Sequence, residues 1–180
     1  ELIESLPASG VAILGTYDAF TPRMGEEMQI KRVTFGEHTS DDIRATDVEL
    51  REGRAHFDLV TPAGRTSVGL RLVGAHQIAN ALAAAAVAYE LGIETESIGT
   101  ALSMAESTSK WRMELHEEGG LLIVNDSYNA NPDSMRAALK TLAYLAQERG
   151  GVAWAFLGKM HELGESEMEE HLAIGRLASE

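Results

Sequence analysis

The stretch "LLIVNDSYNANPDSMRAAL", residues 121–139, decides the fold. Its first four residues are apolar without a break, the pattern of a strand covered on both faces, and a crowd of short polar side chains follows before a helical run begins. Pro132 has the fixed φ that suits a first helical position, which makes Asn131 the N-cap, its side-chain oxygen accepting an otherwise unbonded backbone N–H. Met135, Ala138, Leu139, Leu142 and Leu145 then recur at helical spacing as the buried stripe. A strand that runs through a loop into a helix predicts an α/β unit, where ligands sit outside the carboxyl ends of the strands. The cap accounts for Asn131 and Pro132 alone. Asp126, Tyr128 and Asn129 precede it; a carboxylate there suits a ribose hydroxyl pair and amides suit carbonyl or phosphate oxygens, and a purely structural role is equally open.

Outward from this stretch, "RMELHEE", a tight Gly119-Gly120 turn and "LLIVND" read as consecutive strands, "VAWAFLG" (152–158) as a further strand, and a helix is expected from about 166. Alternating strands and helices predict a parallel, Rossmann-like sheet with crossovers over 108–180. Around "AESTSKW", 105–111, apolar periodicity lapses, which marks a domain junction and leaves 1–107 as a second domain. There "VAIL" (11–14) reads as a buried strand and "GTYDAFTPRM" as a loop. From Ile43 to Leu72 the chain alternates, as a meander of three antiparallel strands turning at Glu52-Gly53 and Pro62-Ala63-Gly64. "GAHQIANALAAAAVAYELGI" (74–93) is an alanine-rich helix with Ile78, Leu82, Ala85, Ala86 and Tyr89 on one stripe and Gly92 as the C-cap signal; a second helix follows at about 95–105.

With 44% hydrophobic residues among 180, the chain can bury a real core, and a formal net charge of -13 argues against nucleic acid or an anionic membrane surface as partner. There is no cysteine, hence no disulfide framework or thiolate metal site, which fits a reducing cytoplasm. No apolar run reaches the roughly 18 residues of a membrane span. The opening "ELIESLPASG" and the ending "AIGRLASE" read as parts of continuing elements, so a longer protein is expected.

Several residues carry chemistry. His76 and Asn80, four apart, share a face at the start of the alanine-rich helix: either a hydrogen-bonding clamp on a planar base, or a capping histidine beside a solvated amide. Arg112 stands at the junction, either as a surface ion pair or as a fork of donors for a phosphate or ribose. His161-Glu162 and Glu165 imitate the start of an H-E-x-x-H zinc helix, but Glu165 replaces the second histidine and Gly164 interrupts the helix. "LGKM" is no Walker loop, because Ala153 holds the place of its first glycine and Met160 that of its Ser/Thr.

Taken in order and at their separations, "GAHQIANALAAAAVAYELGI", "WRMEL", "IVNDSYNANPDSMRAAL" and "FLGKMHELGE" resemble the Mur ligase family, firmly over about 65–180 and loosely before it. The resemblance implies the end of a P-loop-type ATPase central domain with an antiparallel meander (1–107), followed by the first part of a Rossmann-like C-terminal ligase domain (108–180). It implies an ATP-dependent ligase, inactive as this piece alone, that phosphorylates a peptide carboxylate and lets an amine attack the acyl phosphate. ATP and Mg are the implied cofactors, with the phosphate loop and magnesium ligands expected before Glu1. Asn129-Ala130-Asn131, where diaminopimelate- or lysine-adding members usually show D-Y-A-H-x-P, favours the branch that adds D-alanyl-D-alanine to UDP-N-acetylmuramoyl-tripeptide. The implied partners are thus a UDP-sugar peptide and D-alanyl-D-alanine, acting on a cytoplasmic monomer with no nucleic acid and no membrane insertion.

Carried over residue by residue, the resemblance has His76 and Asn80 border the adenine, Arg112 and Asp126 hold ATP, and Asn129 and Asn131 line the place where nucleotide and incoming dipeptide meet; it assigns no catalytic residue. Two departures stand out. Members commonly show Asn-x-Asp-Asp after the strand matching "VAIL", whereas this chain reads Gly15-Thr16-Tyr17-Asp18, and Lys159 stands where an acidic residue is frequent. Alternatives are another Mur-type or folylpolyglutamate-type amide ligase, or a non-catalytic nucleotide-binding module.

Overall fold

The computed structural model describes residues 3–179, which divide into two compact units. The first comprises residues up to Arg51, Ala55–Arg71 and His76–Ala105; the second comprises Glu52–Arg54, Leu72–Ala75 and everything from Glu106 onward.

In the first unit, β1 (Val11–Gly15), β2 (Lys31–Gly36), β3 (Ile43–Arg51), β4 (Arg54–Thr61) and β5 (Gly64–Val73) form one sheet in sequence order. β1 and β2 pair in parallel, as do β2 and β3. The two-residue connections of β3–β4 and β4–β5 close hairpins, which only antiparallel neighbours permit. Glu52 and Gly53 supply the turn after β3 with positive φ at both positions, 50° and 72°, as a primed hairpin turn requires. β4 shows why the meander was legible: Ala55, Phe57, Leu59 and Thr61 are buried in strict alternation with more exposed neighbours. The sheet is covered by α1 (Gln77–Glu90), which packs across β1, β2 and β3, with α2 (Thr95–Met104) beside it. Ile78, Ala81, Leu82, Ala85 and Ala86 of α1 are buried against Val33, Ile43, Phe57, Leu59 and Leu70; Tyr89, expected on the buried stripe, is half-buried at its edge. Gly92 ends α1 in a Schellman arrangement at φ 83°, its N–H donating to Tyr89 O (2.9 Å) while Ile93 N–H donates to Ala88 O (3.1 Å).

β2 was not anticipated. "KRVTFG" sits beyond a turn-rich stretch with one buried valine, so its own sequence alternates weakly; what makes it a strand is being flanked on both sides by β1 and β3.

In the second unit, β6 (Glu114–Glu118) and β7 (Leu121–Asn125) form an antiparallel hairpin through Gly119 (φ 59°) and Gly120 (φ 83°). α3 (Pro132–Glu148) and α4 (Glu167–Leu177) pack together. A small core joins Val73, Met113 and Leu145 with Leu115, Leu122, Val124 and Ala138.

The α/β class holds, but two expectations for this unit need correction. Residues 152–158 form no strand: Val152, Trp154 and Phe156 are 82%, 76% and 93% exposed, and no described strand pairs with them. A parallel strand exists only through its ladder, so an apolar run without a neighbour to bond stays irregular. For the same reason β7 is covered on one face only: Leu122 and Val124 point into the core, while Leu121 and Ile123 are exposed. On α3 the deeply buried positions are Thr141 and Leu145, with Met135, Leu139 and Leu142 half-buried beside an open hollow.

Candidate functional site

The quoted loop is built by short-range hydrogen bonding. Asn125 Oδ1 accepts from Ser127 Oγ (2.8 Å) and Ser127 N–H (3.3 Å), turning the chain at the end of β7. Asn131 caps α3 as expected, its Oδ1 accepting from Ser134 N–H (2.9 Å) while Ser134 Oγ accepts from Asn131 N–H (3.0 Å), a reciprocal capping box with Pro132 in the first turn. Asn129 is exposed, and its Oδ1 accepts from Ala130 N–H (2.9 Å), a bond that does not use its amide N–H groups.

Asp126 has a structural task besides any ligand. Its Oδ1 accepts from the backbone N–H of Met113 (3.0 Å), tying the entry of β6 to the exit of β7. A second tie lies two residues away, where Tyr128 N–H donates to Trp111 O (3.0 Å). Between the two ties, the Arg112 guanidinium carbon lies 4.3 Å from the centroid of the Tyr128 ring. Arg112 therefore lies over an aromatic face, and among the described residues no carboxylate forms the surface ion pair that was one of its two readings. Trp111 (φ 62°) and Met113 (φ 50°) on either side of it are left-handed, a sparsely populated state for residues of their size. The structure thus brings Arg112, Asp126 and Tyr128 into one cluster, with Asn129 and Asn131 following in the same loop.

This loop borders a hollow of about 1060 Å³, also lined by Ile123, Met135, Leu139 and the segment Gly158, Lys159 and His161. That segment is clipped to α4 at two points. Lys159 Nζ pairs with Glu167 Oε1 (2.8 Å), and His171 Nε2 accepts from Met160 N–H (3.0 Å) while its Nδ1 lies 2.7 Å from Glu167 O. Met160 is 1% exposed at the centre of the clip. The hydrogen bond and then the charge of Lys159 hold the Glu167 carboxyl below its ordinary range. The basic residue at 159 therefore has its acidic counterpart eight positions on, which gives that departure from the family pattern a structural account. His161 through Glu165 span a left-handed Glu162 and a 3-10 turn, so these side chains do not share a helix face.

In the first unit, His76 stands at the N-cap position of α1 with helical backbone angles, and its side chain makes no capping hydrogen bond. Gln77, overlooked in the sequence, connects the two predicted residues: its Nε2 lies 3.1 Å from His76 Nε2, and its Oε1 accepts from Asn80 Nδ2 (3.0 Å). His76 is half-buried and Asn80 exposed. Asp18, after β1, accepts from Phe20 N–H (2.7 Å), Thr21 N–H (2.8 Å) and Thr21 Oγ1 (2.6 Å). Those bonds, the Thr21 hydroxyl first, lower its pKa. Gly15 packs under Phe35, whose ring a Cβ there would approach to 3.0 Å; a larger residue would have to displace the ring. Thr16 Oγ1 donates to Asp41 (3.0 Å). Burial, with Glu37 and Asp41 nearby, pushes the Tyr17 phenol well above its ordinary range.

Comparison with known proteins bears on this arrangement. The family model of the Mur ligase middle domain matches residues 1–88, and that of the Mur ligase glutamate ligase domain matches residues 111–180. The chain belongs to the Mur ligase family. Among its relatives, the UDP-N-acetylmuramoyl-tripeptide--D-alanyl-D-alanine ligase of Mycobacterium tuberculosis is 40% identical over 99% of this chain and 36% of its own length. The enzyme of the same description from Escherichia coli is 31% identical over 99% of this chain and 39% of its own. Among solved structures, a MurF crystal structure from Acinetobacter baumannii superposes with a TM-score of 0.86 at 37% identity, covering 97% of this chain and 37% of that one. A MurF ligase of Thermotoga maritima in complex with ADP shares the fold, with a TM-score of 0.70 at 24% identity over 94% of this chain and 38% of that one. The chain thus spans little more than a third of the length of these Mur ligases.

Proposed function

We propose that this Mur ligase chain is part of an ATP-dependent enzyme that adds D-alanyl-D-alanine to UDP-N-acetylmuramoyl-tripeptide in peptidoglycan synthesis. The observation that carries the reading is the 40% identity, across 99% of the chain, to relatives of that description. In the reaction, the terminal carboxylate of the tripeptide takes the γ-phosphoryl group of ATP, and ADP leaves. The dipeptide amine then attacks the acyl phosphate, and the tetrahedral intermediate expels phosphate to leave the amide. Such chemistry asks the protein chiefly for positioning and charge neutralisation.

Arg112 contributes a fork of donors for phosphate oxygens, and Asp126 a carboxylate for the ribose hydroxyls or their neighbours. The exposed amide of Asn129 contacts the nucleotide, and Asn131, at the cap of α3, contacts the dipeptide. His76 and Asn80, linked through Gln77, offer adjacent donors and acceptors to the adenine edge. Among the described residues no group of three His, Asp or Glu side chains is arranged to hold a metal ion. In this reading 1–107 is the end of the ATP-binding domain and 108–180 the start of the ligase domain of a cytoplasmic, monomeric enzyme. The described chain contains no helix long and apolar enough to cross a membrane.

The test is the full-length enzyme supplied with ATP, the UDP-linked tripeptide and D-alanyl-D-alanine. Phosphate release should depend on all three. Release that instead follows L-alanine would favour the sibling reading suggested by a UDP-N-acetylmuramate--L-alanine ligase 32% identical over 83% of this chain.

A further inference from the structure

We propose that Tyr128 is a positioning residue of this ligase: its ring holds the Arg112 guanidinium in the orientation in which it meets the nucleotide. The inference rests on the ATP-binding role proposed for Arg112 and extends it to a residue with no assigned task.

Arg112 is an exposed side chain, and an exposed arginine ordinarily samples many rotamers. Here the guanidinium carbon sits 4.3 Å from the Tyr128 centroid, well inside the roughly 6 Å range of a cation–π contact. A guanidinium held over the ring face samples fewer rotamers, and a fork of donors fixed in place is better prepared to meet a phosphate than a freely moving one. The backbone shows that this contact is built. Trp111 O takes the Tyr128 N–H, and Asp126 Oδ1 takes the Met113 N–H, both at 3.0 Å, so the residues on either side of Arg112 are bonded to the loop that carries Tyr128. Those same neighbours, Trp111 and Met113, both hold left-handed φ, and such strain persists only where the surroundings over-determine it. Met113 is anchored in the small core, but Trp111 is 52% exposed, so core packing does not require its conformation. The two strained residues and the two cross-loop bonds bracket Arg112 and set it over Tyr128, while the Asp126 bond also joins β6 to β7. Tyr128 is 57% exposed in a loop of small polar residues, where burial offers little reason for an aromatic.

The experiment measures kcat and KM for ATP in the full-length enzyme carrying Tyr128→Phe, Tyr128→Leu, Arg112→Ala and the Arg112→Ala/Tyr128→Leu pair. Tyr128→Leu should raise KM for ATP about three- to fivefold with little change in kcat, the scale of an exposed cation–π contact. Tyr128→Phe should remain within about twofold of wild type, since it keeps the ring. In the Arg112→Ala background Tyr128→Leu should add nothing, because a residue acting through Arg112 has nothing left to position. An unchanged KM in Tyr128→Leu, a Phe variant as impaired as Leu, or an undiminished effect of Leu without Arg112 would each overturn the proposal. A wild-type enzyme that neither binds nor uses ATP would overturn the functional reading and this inference with it, and the wild-type arm alone separates that case from the others.

Discussion

Asp126 is given two duties, and substitution separates them. Replacement by alanine removes the acceptor for Met113 N–H, and Met113 is only 9% exposed, so its donor is left with poor access to water. A hydrogen bond to a charged group contributes roughly 1.5–3 kcal/mol, and an unsatisfied buried donor costs about 1–3 kcal/mol. Asp126 is itself half-buried, which places the expected loss for Asp126→Ala near 2 kcal/mol. Asparagine keeps an oxygen where Oδ1 stands and loses the charge, so Asp126→Asn should cost less than about 1 kcal/mol. If the carboxylate also contacts the nucleotide, both variants should lose more than about tenfold in kcat/KM for ATP, equivalent to roughly 1.4 kcal/mol of transition-state binding. Urea unfolding of the full-length enzyme gives the first pair of numbers and steady-state kinetics the second. An Asp126→Asn enzyme with undiminished kcat/KM would refute the ligand role and leave Asp126 as the tie between β6 and β7. An Asp126→Ala protein as stable as wild type would refute the tie.

Asn131→Ala removes the side-chain half of the capping box, the acceptor for Ser134 N–H, while the backbone N–H at 131 can still donate to Ser134 Oγ; it should destabilise the second unit by about 1 kcal/mol, whereas Asn131→Asp should keep most of the capping contribution, and chemical denaturation distinguishes them. Leu82, 0% exposed at the centre of α1, should cost about 2–5 kcal/mol on truncation to alanine, read from the shift in urea midpoint at unchanged slope. The Glu167 carboxyl is depressed by Lys159, so their pair stabilises the fold above the ordinary carboxylate pKa and loses that contribution as pH falls through the lowered value. Lys159→Met should bring Glu167 back up towards its ordinary range in a carboxyl NMR titration, and an unmoved titration would show that the pair does not persist in solution. His171→Ala removes the acceptor for Met160 N–H, and amide exchange at Met160 should accelerate while that of α1 stays unchanged.

Local physics made much of this protein legible. Strict alternation in Ala55, Phe57 and Leu59 announced the meander, Gly92 and Gly119-Gly120 announced a helix end and a hairpin, and Asn131-Pro132 announced the start of α3. Each of these signals acts over a few residues and survives whatever surrounds it. Strands whose existence depends on neighbours were read less well: β2 has little pattern of its own yet is made by β1 and β3, whereas 152–158 has pattern in abundance and no described partner.

The candidate site divides the same way. Sequence alone determined which residue types stand at the strand end and the helix cap, and the ordered blocks around them determined the family. Only the tertiary structure decided what those residues do to one another. It gave Asp126 a backbone N–H to hold, set Arg112 on Tyr128, joined His76 to Asn80 through Gln77, and matched Lys159 with Glu167. The reason is that capping and turn formation are written in adjacent residues. A guanidinium held over a ring sixteen positions away exists only after two hydrogen bonds have folded the chain back on itself.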